Sequence, residues 1–312
     1  MMPMTQKFTL YKEIIQDTFR EFSNDKAMKM SASLAYYTIF SLSPMLIVII
    51  SLCGIFFGEQ AVAGEIYVQI RGMVGSDAAI QIQEMIKNAN LGKDNYLATS
   101  IGLGTLLLGA TGVFAEIQDS INFIWGVKPK PKKGFLKVLI NRLLSFSIVV
   151  SMGFVLMVSL TVNGIMTAFS TKITRFFPDF SIGLAEILSF SFTFMIITLL
   201  FAVIFKVLPD VKIRWKDVLV GSVVTALLFL LGKFLIGLYL SMSNLGFTYG
   251  AAASIIIILL WVYYSSIILY FGAEFTQAYA ERLGGKIVPK EYAVLVKQRE
   301  ITQEDLLKED NV

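Results

Sequence analysis

The sequence predicts an all-α fold, a polytopic membrane protein built as a six-transmembrane-helix bundle. Hydrophobic residues make up 55% of the 312-residue chain and charged residues only 16%, which excludes a water-soluble domain. Six apolar stretches are each long enough to cross a hydrocarbon core about 30 Å thick at a helical rise of about 1.5 Å per residue. These stretches are Leu34–Phe57, Tyr96–Trp125, Val138–Ala168, Ile182–Phe205, Asp217–Leu240 and Gly250–Phe271.

Basic residues mark one side of this predicted bundle. Of the 27 Lys and Arg residues, 21 precede the first stretch, follow the last, or lie within Lys128–Arg142 and Lys206–Lys216. The remaining gaps hold five, and Lys233 lies inside the fifth stretch. By the positive-inside rule, both termini are expected in the cytoplasm. The net charge of +4 is therefore a topology signal, and we expect no nucleic-acid partner.

The segment before the first span predicts an amphipathic helix. Apolar residues recur in it every three or four positions, at Phe8, Tyr11, Ile15, Phe19 and Phe22. We interpret residues 1–30 as a cytoplasmic interfacial helix that anchors the first span, with a moving gate as the alternative.

The rest of the chain divides into two regions. Residues 31–283 are predicted to form the transmembrane domain, with an external loop at 58–95 that is helical because its apolar residues recur at amphipathic spacing. Residues 284–312 are predicted to be a charged, mobile cytoplasmic tail.

Two absences from the composition exclude whole classes of site. The chain has no histidine, which removes histidine general bases, proton switches and metal ligands. Cys53 is its single cysteine, so neither an intrachain disulfide nor a cysteine cluster can form. We therefore expect no metal site, no cofactor and no catalytic residue.

The second span carries a stripe of small and acidic residues. Spacings of three and four place them on one helix face, in the order Gly102, Thr105, Gly109, Gly112, Glu116 and Asp119. The three glycines are interpreted as helix-packing positions, because small residues let helices approach closely in lipid. Asn122 follows the acidic end of the stripe, and Trp125 is expected to mark the membrane interface.

The sixth span has a second polar stripe, formed by Tyr263, Tyr270, Glu274 and Gln277. Both helices run in the same direction, so the two stripes are predicted to converge in the inner half of the bundle as a polar seam. Carboxylates at such depth are costly and normally face a cavity or a partner.

Two interpretations of the seam remain open. In the first, its carboxylates couple ions or protons to transport; in the second, they pair with Lys206, Lys212 and Arg214 and hold the helices together. Pro44 interrupts the first span and predicts a kink, which would act as a hinge or serve packing alone.

Three segments carry a resemblance to a known family. They are Ala32–Pro44 (ASLAYYTIFSLSP), Gly109–Trp125 (GATGVFAEIQDSINFIW) and Tyr263–Glu281. In this order along six spans, they resemble the YihY/virulence factor BrkB family of bacterial inner-membrane proteins, over residues 8–283. The resemblance implies the bacterial cytoplasmic (inner) membrane and an envelope role, such as transport of lipid-like molecules. The family was formerly misassigned as ribonuclease BN, and the resemblance implies no catalytic residues.

Three functions follow as hypotheses. The favoured one is a transporter or flippase of a small amphiphilic or lipid-like solute, with membrane lipids as partners. The sequence GxxxxGK[ST] is absent, so the chain itself is not expected to use ATP. The alternative is a non-transporting envelope scaffold that organises lipids. A nuclease is disfavoured, because its only candidate acids, such as Asp17, Asp210 and Asp217, are scattered.

Overall fold

The computed structural model describes residues 4–88, 112–130, 178–243, 252–285 and 287–296. The third predicted span lies outside these residues, as do Gly102 and Gly109. The described residues are mainly helical, as predicted. The helices are α1 Met4–Asn24, α2 Ala27–Phe57, α3 Glu59–Val74, α4 Ser76–Asn88, α5 at 112–124, α6 Pro178–Val207, α7 Trp215–Met242 and α8 Ala253–Leu283.

Three of the described helices are long and apolar enough to cross a membrane. The segments are Phe190–Val207 in α6, Trp215–Leu240 in α7 and Ala253–Leu283, the whole of α8. They correspond to the fourth, fifth and sixth predicted spans. The first predicted span lies within α2, which runs through Pro44 as one helix of 31 residues. The count of six spans stays a prediction.

Helix α8 lies at the centre of the described bundle. It packs against α7 on one side and α2 on another, while α6 packs on α7 and α1 packs on α8. The buried core includes Ile121, Trp125, Phe205 and Tyr270. Large apolar side chains on the opposite face of α7 are exposed, as expected for helices whose outer surface meets lipid: Leu227, Leu231, Phe234 and Leu235.

Glycines allow α7 and α8 to approach closely. A Cβ atom built at Gly221, Gly232 or Gly272 would lie 2.1 Å or less from a side-chain atom of the facing helix. A side chain at any of these positions would collide with its neighbour, so this contact depends on the absence of one.

Residues 58–88 form two helices, in agreement with the amphipathic spacing of this segment. Gly58 and Gly75 precede α3 and α4 with φ angles of 83° and 87°, which favour glycine. Val62 and Ile82 belong to the same buried cluster as side chains of α2. The two helices thus pack on the bundle as part of its core.

Two short antiparallel sheets lie at one end of the bundle, which we call the strand end. Strand β1 (Val127–Pro129) pairs with β4 (Ala293–Leu295), and β2 (Val211–Lys212) pairs with β3 (Val288–Pro289). The prediction of a mobile tail after residue 284 is therefore wrong for residues 287–296. Their backbone groups are hydrogen-bonded to the two loops that follow α5 and α6, which holds them in place.

Candidate functional site: an acidic cavity at the strand end

A half-open cavity of about 1160 Å³ lies at the strand end. Its walls come from α1, the end of α5, strand β1 and the last turns of α8. We call it the acidic cavity, because among the described residues six carboxylates and three cationic side chains line it. The carboxylates are Asp17, Glu21, Asp25, Asp119, Glu274 and Glu281, and the cations are Arg20, Lys128 and Arg282.

Glu274 is the most deeply placed of these carboxylates. Its residue surface is only 1% exposed, and neither Oε1 nor Oε2 has a hydrogen-bond partner among the residues that the structure describes. The charges of Asp25 and Glu21, which are also acidic, act on it. A buried carboxylate without a donor or a cation is strongly unfavourable. Glu274 is therefore a site where a cationic group would be stabilised.

The acidic cavity brings together four members of the predicted polar seam. Asp119 and Asn122 reach it from α5, and Glu274 and Gln277 from α8. These four residues of the two predicted stripes therefore meet at the strand end of the bundle.

The other three members of the seam lie elsewhere. Glu116 and Tyr263 are half-buried and do not line the cavity. Tyr270 is fully buried, close to Ser120 and within electrostatic range of Glu116.

Two of the three basic residues expected to pair with the seam, Lys206 and Arg214, have other partners. Arg214 donates to both carboxylate oxygens of Asp217, at 2.9 and 3.1 Å. Lys206 donates to the carbonyl oxygen of Ile213 and lies 5.3 Å from the ring centroid of Trp215. Among the described residues, no basic side chain is hydrogen-bonded to the oxygens of Glu274, and their pairing with a basic residue stays a prediction.

Asp210 has a role that the sequence did not indicate. It is 1% exposed, and its carboxylate accepts from Gln118 Nε2 at 3.3 Å and Asn122 Nδ2 at 3.1 Å. Its backbone N–H donates to Asn122 Oδ1 at 2.8 Å, and its carbonyl accepts from the N–H of Lys290 at 2.9 Å. Asp210 thereby joins α5, the loop after α6 and the C-terminal strands.

Tyr292 completes the group around Asp210. Burial, followed by the charge of Asp210 and a hydrogen bond to it, raises the pKa of Tyr292 to about 12. The phenol therefore stays protonated at neutral pH and donates to the carboxylate. In the sequence, the only local signals of the role of Asp210 were the proline that precedes it and the position of Asp210 in a short loop.

Trp125 is not an interfacial marker, contrary to expectation. It is 2% exposed, and its indole N–H donates to the carbonyl oxygen of Ala273 at 3.1 Å. This bond fixes the end of α5 on α8, one residue before Glu274. The tryptophan therefore positions the two halves of the cavity wall relative to each other.

Helix α1 forms the remaining wall and is tied to α8. Arg282 binds both Asp17, with 2.6 Å between Nε and Oδ2, and Glu13. Phe19 and Phe22 pack edge-on against Phe271, at ring-centroid distances of 5.0 and 5.7 Å.

The outward face of α1 remains apolar. Tyr11, Ile15 and Phe19 are about half or more exposed, at 49%, 49% and 61%. This face is available to a membrane surface, in keeping with the predicted interfacial position.

At the end of α1, Asp25 contributes a titratable group to the cavity. Burial, followed by the charge of Glu21, raises the pKa of Asp25 to about 6. The charge of the cavity therefore changes within the physiological pH range.

Of the three packing glycines predicted in the second span, Gly112 lies within the described residues. A Cβ at Gly112 would lie 3.3 Å from Oγ of Ser41, so α5 and α2 are close at this point. The hinge at Pro44 stays a prediction.

Comparison with known proteins agrees with this architecture. A sequence profile of the family described as virulence factor BrkB matches residues 18–293. The chain belongs to the BrkB family. Its relatives include a "UPF0761 membrane protein" of Kangiella koreensis, 28% identical over 86% of this chain and 64% of the relative. Similar proteins of the same name occur in Aeromonas salmonicida, 26% identical over 85% of this chain and 88% of the relative, and in Vibrio atlanticus, 28% identical over 83% and 80%.

Membership in the BrkB family makes the chain an integral membrane protein. The chain spans somewhat less than two thirds of the Kangiella relative and of one from Pseudomonas aeruginosa, at 64% and 63%. No solved structure matches it. The names of the relatives state a membrane location and no activity, so the function has to be argued from the cavity.

The acids considered for a nuclease serve other roles. Asp210 and Asp217 are buried and hydrogen-bonded within the protein, and Asp17 is paired with arginines. Within the described residues, no three acidic or cysteine side chains are grouped closely enough to hold a metal ion.

Proposed function

We propose that this BrkB-family protein is a transporter or flippase of a small amphiphilic or lipid-like solute, without ATP and without an enzymatic step. One observation carries the proposal: the acidic cavity ends on Glu274, a buried carboxylate whose oxygens have no partner in the described structure. Such a group is costly in a packed protein and typically marks a pathway for ions, protons or substrate.

The position of Glu274 supports an entry pathway. It lies nine residues before Leu283, the last residue of α8, or about 13 Å along the helix axis. The cavity thus extends from the strand end alongside a membrane-spanning helix. Its wall also contains Phe123, Ile124 and Ala278, which give an amphiphilic solute apolar surface beside the carboxylates.

We further propose that the strand end faces the cytoplasm in a six-span arrangement. The sheets bring Lys128, Lys212 and Lys290 to the same end of the bundle, and Arg282 lies there as well. Basic residues concentrate on the cytoplasmic side of bacterial membrane proteins, which supports this orientation and cytoplasmic termini.

Flux measurements in proteoliposomes test the proposal. Wild-type protein is expected to accelerate movement of a fluorescent lipid analogue or a small amphiphile across the bilayer in the absence of ATP. Glu274→Gln is expected to reduce this rate at least about tenfold, while Glu291→Gln, a matched change at an exposed position, leaves it unchanged. Equal flux in all three preparations would show that Glu274 has no part in transport.

A non-transporting envelope scaffold is the second candidate. The close glycine contacts between α7 and α8 and the strands that tie the loops together favour a rigid body. This candidate predicts that reconstituted protein produces no flux above that of protein-free liposomes. It also predicts that Glu274→Gln raises stability with no other effect, because the variant replaces a buried carboxyl group whose oxygens have no described partner.

A further inference from the structure

We propose that the acidic cavity binds the primary-amine group of an amphiphilic ligand, with the Glu274 carboxylate as its counter-ion. This inference names the substrate class of the transport proposed above and depends on that proposal for the transport step alone. Binding itself can be tested without flux.

The charge distribution around the cavity favours a cation. Two of its three cationic side chains already bind carboxylates: Arg20 pairs with Asp17 and Glu21, and Arg282 pairs with Asp17 and Glu13. Glu274 is under the influence of two further acids, Asp25 and Glu21, of which Glu21 is itself paired with Arg20. The field at the deepest point of the cavity is therefore negative, and a positive charge would be attracted there.

The two oxygens of Glu274 can accept hydrogen bonds from an ammonium group. Both are acceptors without a described partner, and an ammonium group has three donors to offer. A charge-assisted hydrogen bond in a buried site is stronger than one in water, because the local dielectric constant is low. Gln277, one turn after Glu274, adds an amide to the same wall.

The geometry argues for an organic cation over a metal ion. Among the described residues, no three possible ligands are grouped for a metal, and a hard divalent cation requires six or more oxygens. The cavity volume of about 1160 Å³ also far exceeds that of a single ion and suits a drug-sized molecule.

The remaining wall explains why the ligand should be amphiphilic. Phe123 is 46% exposed and lines the cavity together with Ala278 and Val296. An aromatic ring near an ammonium group adds cation–π attraction, and the apolar residues bind an alkyl or aryl body. An amine-bearing lipid headgroup and a free amphiphilic amine share this chemistry.

Fluorescence binding to the full chain in phosphatidylcholine nanodiscs tests the inference. The probe is dansylcadaverine, a fluorophore that carries a primary amine, and the control probe is dansylamide, which lacks the amine. Saturable binding of dansylcadaverine and none of dansylamide is expected. Equal binding of both probes would overturn the inference.

Variants test the role of Glu274 in this assay. Glu274→Gln is expected to weaken dansylcadaverine binding at least about tenfold, and Glu274→Asp, which keeps the charge, no more than about threefold. Glu291→Gln serves as the matched control outside the cavity, and thermal melting establishes that each variant is folded. Equal losses in the Gln and Asp variants would indicate a steric effect and overturn the counter-ion role.

Competition identifies the source of the amine. Displacement by ethanolamine at lower concentration than by 1,4-diaminobutane supports a lipid headgroup, and the reverse order supports a free amine. Stronger displacement by Mg²⁺ than by either amine would overturn the inference. Amine binding without flux would refute transport alone, whereas flux without amine binding would refute this inference alone.

Discussion

Thr276 lies directly over Gly221, where a Cβ atom would approach its Oγ1 to 1.9 Å. The relationship is reciprocal, because Thr225, one turn after Gly221, lies in the same way over Gly272, one turn before Thr276. Each threonine hydroxyl donates to the glycine carbonyl four residues earlier in its own helix, at 2.7 Å for Thr225 and 2.6 Å for Thr276. Each threonine hydroxyl is thus hydrogen-bonded within its own helix. The glycine that faces it lets the backbones of α7 and α8 come into close contact.

Gly221→Ala is expected to destabilise the protein, because the new methyl group collides with the side chain of Thr276. Overpacking of this kind costs about 1–3 kcal/mol, which corresponds to a fall in melting temperature of roughly 2–10 °C in detergent. Gly237→Ala is the matched control on the same helix, since a Cβ there meets nothing within 4 Å. The control should be unchanged or slightly more stable, because alanine favours helix. Equal melting temperatures for both variants would contradict the close contact.

The sequence predicted those parts of the site that depend on position within one helix. Asp119 and Asn122 are three residues apart and share a face of α5, as do Glu274 and Gln277 on α8, so their joint position on the cavity follows from helical spacing. Hydropathy likewise predicted the spans in α6, α7 and α8.

The remaining parts of the site depend on contacts between segments that are distant in the sequence. Residue spacing within one helix carries no information about such contacts. Gln118 and Asn122 lie 92 and 88 residues before Asp210. Only the tertiary fold therefore buries this acid and brings both amides to its carboxylate. Strands of two or three residues are too short for a period-two pattern, which explains the wrong prediction of a mobile tail. Trp125 was misinterpreted because an indole at a helix end fits either an interface or a buried hydrogen bond.

A disulfide cross-link is expected between strands β1 and β4. Lys128 and Val294 are directly opposite each other in the register, and opposite residues in antiparallel strands have Cβ atoms about 4.5–5.5 Å apart. Lys128→Cys combined with Val294→Cys, in a Cys53→Ala background, should therefore form a disulfide on oxidation in native membranes. Lys128→Cys with Val288→Cys, which is in the other sheet, should not.

The cross-link also bears on topology. If Lys128 and Val294 are neighbours, reporter fusions at residue 130 and after residue 296 must fall on the same face of the membrane. Fusions on opposite faces would contradict both the strand pairing and the proposed cytoplasmic location of the strand end.

Asp210→Ala is expected to loosen the C-terminal strands. The substitution removes the acceptor of Gln118, Asn122 and Tyr292, and each buried polar group left without a partner costs about 1–3 kcal/mol. We expect a lower melting temperature and faster tryptic cleavage at Lys290. Tyr292→Phe, which removes one of these bonds, should have a smaller effect, and Glu291→Ala, at an exposed position, none. The same cleavage rate in all variants would show that Asp210 does not hold the strands.

Arg282→Gln is expected to release α1 from α8 with little loss of global stability. Its ion pairs with Asp17 and Glu13 are exposed, and such pairs contribute about 0–1 kcal/mol each. Hydrogen–deuterium exchange over residues 4–24 should nevertheless increase, because these pairs link the two helices. Arg20→Gln is the matched control, since the ion pairs of Arg20 within the described residues are with Asp17 and Glu21 on α1 itself. Increased exchange in the control alone would place the attachment of α1 elsewhere and weaken its interpretation as a gate.

Asp25→Asn is expected to change the pH dependence of stability. Burial and the charge of Glu21 raise the pKa of Asp25 from 3.8 to about 6, so the folded protein binds more protons at this site than the unfolded chain between these values. Wild-type stability should therefore rise as pH falls from about 7 to 4, since the folded state favours the neutral acid. The gain is at most about 1 kcal/mol, because Asp25 is only half-buried and solvent screens its charge.

The difference between Asp25→Asn and wild type isolates this group from its charged neighbours, which both proteins share. Those neighbours are Arg20 and Glu21 on α1, Glu274 and Glu281 on α8, Asp119 on α5 and Lys128 on β1. Because asparagine is neutral at every pH, the variant should be more stable than wild type at pH 7, and the difference should shrink toward pH 4. Thermal melting across this range measures it, with Ser23→Ala as a non-titrating control on α1. A difference that is constant with pH would contradict a pKa near 6 for the carboxyl group of Asp25.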